Sequence, residues 1–313
     1  MNSTEKKFVP VMITPFDLKA KVDHEALDAL IDFYLRAGVK GFFANCLSSE
    51  MFSISEDERI DTVKYIVRKV NGAVPVVATG SFGLTLHDKA EFTKKIHETG
   101  ISAAIMITGH FAHVEDPDEV LLRNFDTLFS LTGNIPLGMY ECPAPYKRIL
   151  PADVFQKLIS TGRMIYHKDT SIKHESVKAK LDVVAKMKDS RMEFYDAHSP
   201  NALFSLQAGA RGMSSISGNF YPEILVWLCD HANDPQKQDD VKWIQSEITR
   251  VDPLIHQAYP MSAKYFLRKR GLPVRTISRT HVLELTPEQK QTLDLIHQDF
   301  LNWCDKLAIK PAI

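Results

Sequence analysis

The sequence predicts an α/β chain folded as a closed (β/α)8 TIM barrel with a C-terminal helical extension, and three observations carry that prediction. Short apolar runs alternate with amphipathic helical stretches eight times in order, and that order implies parallel strands joined by crossovers. Several runs, such as Ala103 to Thr108, are apolar without alternation, as strands covered on both faces must be. The turn after the first strand reads Thr14-Pro15-Phe16, not the glycine-rich phosphate turn of an open doubly wound sheet. Eight units in about 230 residues match a closed barrel.

The first strand is expected over Val9 to Thr14. Asp23 is placed to cap a helix whose apolar face is Ala26, Leu27, Leu30, Ile31, Tyr34 and Leu35, with Gly38 as its stop. Gly41 to Cys46 is a second strand, and Ser55 with Glu58 makes a capping box for the helix carrying Ile60, Val63, Ile66, Val67 and Val70. The pattern then repeats: strand Val74 to Thr79 with helix Leu86 to Thr99, strand Ala103 to Thr108 with helix Pro117 to Leu131, and strand Ile135 to Tyr140 with helix Pro151 to Ser160. The sixth strand runs from Met164 through Lys168 and is followed by a helix over Glu175 to Met187. Glu193 to Ala197 with Asn201 to Ala208, and Gly212 to Ile216 with Pro222 to His231, complete eight units. The tail has no strand pattern and reads as three helices, about Asp240 to Gln257, Pro260 to Arg270 and Pro287 to Leu307, with an irregular stretch from Gly271 to Glu284. The expected division is a barrel over residues 1–235 and a three-helix extension over 236–313.

Composition narrows the function classes. The 313 residues carry a net charge of -1, and the basic residues are scattered, which argues against a nucleic-acid footprint. Cys46, Cys142, Cys229 and Cys304 form no C-x-x-C pair and read as free thiols in a reducing compartment. The segment Met1 to Lys7 lacks the apolar core of a secretory signal, and no apolar run approaches the ~20 residues of a membrane span. A cytoplasmic protein is expected.

Chemistry in this fold sits at the C-terminal ends of the strands. Lys168 stands there, in Met164-Ile165-Tyr166-His167-Lys168-Asp169-Thr170-Ser171. A lysine in an apolar strand is out of place unless its charge is paired or suppressed. A suppressed amine can attack a carbonyl and form a Schiff base. On this octet alone, a solvated lysine just beyond the sheet is the better reading. At the other strand ends lie Ser48, Ser49 and Glu50 after the second, His110 after the fourth, Tyr140 to Pro143 after the fifth, Asp196 and His198 after the seventh, and Ser214 after the eighth.

Thr14-Pro15-Phe16, the Tyr-x-x-Pro of Tyr140 to Pro143 and the lysine ending the sixth strand, in this order on one barrel, resemble the dihydrodipicolinate synthase / N-acetylneuraminate lyase family of class I aldolases. The resemblance covers the whole chain, tail included. It implies that Lys168 condenses with the ketone of pyruvate or another 2-oxo acid, with Tyr140 shuttling protons. It also implies an aldehyde partner, no cofactor or metal, and a homo-oligomer, a dimer or tetramer. The family's Gly-(Ser/Thr)-Thr-Gly-Glu loop, which grips the 2-oxo acid carboxylate, here reads Cys46-Leu47-Ser48-Ser49-Glu50, so Ser48 and Ser49 inherit the task.

Three departures bear on the reaction. Leu47 lacks the hydroxyl that links the proton relay of the synthase branch, and His110-Phe111 stands where that branch has a tyrosine reaching from a neighbouring subunit. Pro145 replaces an arginine, with Lys147 and Arg148 nearby. These losses argue against authentic dihydrodipicolinate synthesis. His110 is a candidate replacement proton carrier, its pKa lying near neutrality, and a loop histidine without a role is an equal alternative. Glu141, Asp169, Asp196 and His198 are expected at the same rim, suited to a hydroxylated substrate tail as in sugar-acid aldolases. Two rivals remain open: a catalytically impaired paralogue that binds a small 2-oxo acid, and a metal-dependent barrel hydrolase using His110, His167, Asp196 and His198.

Overall fold

In a computed structural model of the chain, which describes residues 5–187, 189–280 and 284–313, the strands are Lys7–Phe8 (β1), Phe42–Phe43 (β2), Val76–Thr79 (β3), Ala103–Ile107 (β4), Leu137–Tyr140 (β5), Met164–Asp169 (β6), Glu193–Asp196 (β7) and Gly212–Met213 (β8). They form one sheet in the order β1-β8-β7-β6-β5-β4-β3-β2, every neighbouring pair parallel. A parallel bridge between Val11 and Phe43 joins the two ends and makes the sheet a ring. Residues 1–4 of the polar N-terminal segment and 281–283 of the irregular stretch lie outside the described residues.

A helix follows each strand: α1 (His24–Arg36), α2 (Glu56–Val70), α3 (Leu86–His97), α4 (Asp118–Thr132), α5 (Ala152–Ser160), α6 (His174–Lys186), α7 (Ala202–Gln207) and α8 (Pro222–His231). The caps form where the residue types call for them. Asp23 accepts from the Ala26 amide at 3.1 Å, and the Ser55–Glu58 box is closed in both directions. α1 buries Leu27, Leu30, Ile31 and Tyr34 against the barrel, the apolar stripe read from its spacing.

The first strand is shorter than its apolar run. Pro10 has no N–H to give, so the ladder at Val9 to Thr14 thins to the single bridge at Val11, although Val11 to Thr14 stay buried. The eighth strand likewise ends at Met213 instead of Ile216, because Ile216–Asn219 turns into a short 3-10 helix.

Three further helices follow: α9 (Gln238–Ile255), α10 (Met261–Lys269) and α11 (Pro287–Leu307). They are fastened to the barrel by buried groups. The Arg270 guanidinium donates to Glu223 and to the Phe220 carbonyl, and Trp303 packs edge-on against Tyr221. Lys264 of α10 reaches the strand-two loop and pairs with Glu50 at 2.6 Å. None of the helices is long and apolar enough to cross a membrane among the described residues.

Candidate active site

Alternation along β6 separates two environments. Tyr166 and Lys168 point into the barrel, where Tyr166 stacks on Tyr195 and meets Phe43 edge-on. His167 and Asp169 point outward, toward Phe155 of α5 and Lys180 of α6.

Lys168 is 4% exposed, and no ion pair among the described residues includes it. Its Nζ lies 4.5 Å from the centre of the Tyr140 ring and 5.6 Å from that of Phe43. Burial lowers its pKa to about 8, with Cys46 and Cys142 opposing the shift. The β5–β6 register sets Tyr140 beside Lys168. Gly138 makes room for this wall: a Cβ there would lie 2.8 Å from the Tyr166 Cβ and 2.5 Å from Ile105 Cδ1. Burial raises the Tyr140 phenol, so it stays protonated.

After β2 the chain makes a 3-10 turn, Leu47–Ser49. The Ser49 hydroxyl bonds the carbonyls of Met12 (2.7 Å) and Ala44 (2.8 Å) and accepts from the Cys46 amide, so it holds the turn to the barrel. Ser48 lies in the same turn and is buried. Glu50, in the left-handed region at φ 58, is enclosed by Lys264, the Ser278 hydroxyl and the amides of Arg279 and Thr280.

His110 is held away from this centre. Its Nδ1 lies 2.7 Å from the Ser81 carbonyl, its ring contacts Phe52 and Phe82, and burial lowers its pKa. Ser214 is buried, its Oγ 3.3 Å from the Tyr166 hydroxyl on the barrel interior. Arg148 turns to Asp118 and the carbonyls of His113 and Asp116, and Lys147 donates to the Thr170 carbonyl. Neither guanidinium nor ammonium takes the place left by Pro145.

The rim expected from Glu141, Asp169 and Asp196 is overturned, because these carboxylates sit behind the strands. Lys180 of α6 donates to both Glu141 Oε1 and Asp169 Oδ2, and all three groups are buried. Glu141 also accepts from the amides of Leu150 and Thr170. Burial works against the Asp169 charge, but His167 and Lys180 outweigh it and the pKa falls; the Lys180 pKa rises for the reciprocal reason. Asp196 accepts from Ser205, and burial lifts it to about 7. His198 alone of the four stays half-buried at the mouth.

The four ligands of the metal-hydrolase reading do not converge. Among the described residues, the one cluster close enough to hold an ion is Glu141, His167 and Asp169, and the Lys180 ammonium already supplies the positive charge there. Sequence reasoning missed Lys180. Lys180 had a signal: it falls on the apolar stripe Val177, Leu181 and Val184 of its own helix.

A model of the dihydrodipicolinate synthetase family matches residues 4–299 of the chain. Curated relatives include the 4-hydroxy-tetrahydrodipicolinate synthase of Oceanobacillus iheyensis, 26% identical over 297 residues, covering 94% of this chain and 97% of the relative. The synthase of the same name from Bacillus subtilis is 25% identical over 285 residues, covering 90% and 94%. Among solved structures, a dihydrodipicolinate synthase from Thermotoga maritima superposes with a TM-score of 0.84 at 14% identity, covering 95% of this chain and 99% of that one. A prophage protein of the dihydrodipicolinic acid synthase family from E. coli K12, solved in complex with pyruvate, superposes at 0.83 with 20% identity, covering 95% and 98%.

Proposed function

This chain belongs to the dihydrodipicolinate synthetase family, and from that premise we propose that it is a Schiff-base lyase that makes or cleaves a carbon–carbon bond between pyruvate, or another 2-oxo acid, and an aldehyde. One observation carries the reading: the Lys168 amine is buried on the barrel interior with no carboxylate to hold its proton, directly against Tyr140. In this reading the neutral amine adds to the ketone carbon and the carbinolamine loses water to give an iminium. The iminium draws electrons from the adjacent carbon–carbon bond, or lends nucleophilic character to the neighbouring carbon in the reverse direction. Tyr140, kept neutral by burial, exchanges protons with the carbinolamine and aldehyde oxygens. The lysine performs the activation, so the reading needs neither metal nor organic cofactor.

Ser48 binds the 2-oxo acid carboxylate, with Ser49 holding the turn that presents it. Ser214 supports the interior wall through Tyr166, and His110 contacts the distal part of the substrate from the mouth. The aldehyde of the named synthase relatives is disfavoured by Leu47, Phe111 and the engagement of Arg148 with Asp118; a sugar-acid tail is the alternative, with His198 as the one expected rim group still at the mouth. A cytoplasmic homo-oligomer, dimer or tetramer, belongs to the same proposal.

The test is reduction with borohydride in the presence of pyruvate, followed by peptide mass spectrometry. A reduced pyruvyl adduct on Lys168 is expected. An unmodified Lys168 overturns the reading and leaves a binding paralogue. A panel of 2-oxo sugar acids, screened for pyruvate release, then identifies the aldehyde half.

A further inference from the structure

We propose that Lys180, which reaches the outer face of β6 from α6, is a positioning residue for the reaction: its ammonium joins the ends of β5 and β6 and so holds the Tyr140 phenol to the Lys168 amine. This rests on the Lys168 reading above.

The two strands stop being paired where the chemistry begins. Tyr140 and Lys168 are the last partners in the β5–β6 register. One backbone bond follows, from the Glu141 amide to the Lys168 carbonyl, and at 3.3 Å it is long. Side chains then take over the alignment. Glu141 comes directly after Tyr140, and Asp169 directly after Lys168. Both carboxylates lie on the outer face, where Lys180 donates to Glu141 and, at 2.6 Å, to Asp169. Each carboxylate also fixes its own loop. Glu141 accepts from the Leu150 and Thr170 amides, and the second Asp169 oxygen accepts from the Ser171 amide and hydroxyl. Thr170 ties Glu141 to the chain two residues past Lys168, whereas Lys180 ties it to the residue next to Lys168.

Stability alone does not call for this arrangement. Buried ions carry a large desolvation cost, and apolar side chains of like volume often serve as well in such places. α6 already buries Val177 and Leu181 beside Lys180. What the ammonium adds over apolar packing is direction. An apolar contact slides at little cost, and a charge-assisted hydrogen bond does not. A misplacement of about 1 Å between reacting groups can slow a step about 100-fold.

The test is the rate of pyruvate trapping by borohydride on the full chain, corrected for the folded fraction from circular dichroism. Lys180→Met is expected to lower that rate at saturating pyruvate about 10- to 100-fold, with half-saturation moved by less than about threefold. The same substitution in a Tyr140→Phe background is expected to cost less than about twofold, because the group it positions is already gone. Losses of similar size in both backgrounds overturn the inference, as does a folded Lys180→Met protein that traps at the wild-type rate. If Lys180→Met does not fold, Asp169→Asn takes its place, since it keeps the acceptor for Ser171 and breaks the Lys180 bond; the same results decide it. Wild-type protein that traps no pyruvate refutes the Lys168 reading and this inference with it. Wild-type trapping beside an unimpaired Lys180→Met refutes the positioning role alone.

Discussion

Lys168 stands on the inner face of β6, and Lys180 reaches the outer face of the same strand from α6. Both are buried, yet the first loses proton affinity and the second gains it. The difference lies in the company each keeps. Lys180 is bracketed by Glu141 and Asp169, whose charges more than offset its desolvation. Lys168 has aromatic rings and two thiols around it and nothing to hold its charge. On the proposed reading, burial alone does not make a nucleophile; burial without a counter-ion does. The outer cluster also serves the inner one, since Glu141 follows Tyr140 and Asp169 follows Lys168, and one ammonium ties both strand ends together.

The comparison breaks most sharply at the two lysines. Lys168→Met is expected to abolish adduct formation while leaving the fold intact or firmer. The sign follows from the shift: the unfolded chain binds that proton near 10.5 and the folded one near 8, so at pH 7 the native state carries a penalty of roughly 3 kcal/mol. The penalty is full below pH 8 and relieved as pH climbs toward 10.5. Urea unfolding of the variant should show no rise in stability over that range, and a loss of stability at pH 7 would contradict the account.

Tyr140→Phe keeps the ring that shields Lys168 and removes only the phenol. Turnover should fall about 10²- to 10⁴-fold while pyruvate is still trapped, as measured by steady-state kinetics alongside mass spectrometry. Lys180→Met should do the reverse of Lys168→Met. Stripping the ammonium from two buried carboxylates is expected to cost about 3–5 kcal/mol in urea unfolding at pH 7. A neutral outcome would contradict that account. The mildest effect is on pH dependence: the rate of pyruvate trapping should climb about tenfold per unit below pH 8 and level off above it. A climb continuing toward 10.5 would place Lys168 in water.

Much of this was legible in the residue order. The capping box at Ser55 and the helix over Pro287 to Leu307 stand where local chemistry put them, because a cap is a contact between near neighbours. Lys168 and Tyr140 were legible through strand position and the resemblance together, and the register brings them side by side. The two ends of β1 and β8 were not, since an apolar run records burial and not ladder bonding, and Val11 to Thr14 are buried off the ladder. The facing of Glu141, Asp169 and Asp196 was misjudged because a strand end does not by itself say which side of the wall a carboxylate takes. The Lys180 partnership spans 39 residues to Glu141, and local spacing is silent at that separation.

The ring is sewn unevenly. Between β4 and β7 the strands share four-residue ladders, whereas β1 and β2 meet at one bridge, Val11 with Phe43. The amine is rooted in the dense stitching and the serine turn hangs at the open seam, linked to the first strand's continuation by the Thr14 hydroxyl on the Ser49 carbonyl at 2.9 Å. If Lys168 reacts as proposed, the reacting amine stands where the ladders are longest, and the serine turn stands where a single bridge is reinforced by side-chain bonds from Thr14 and Ser49 instead.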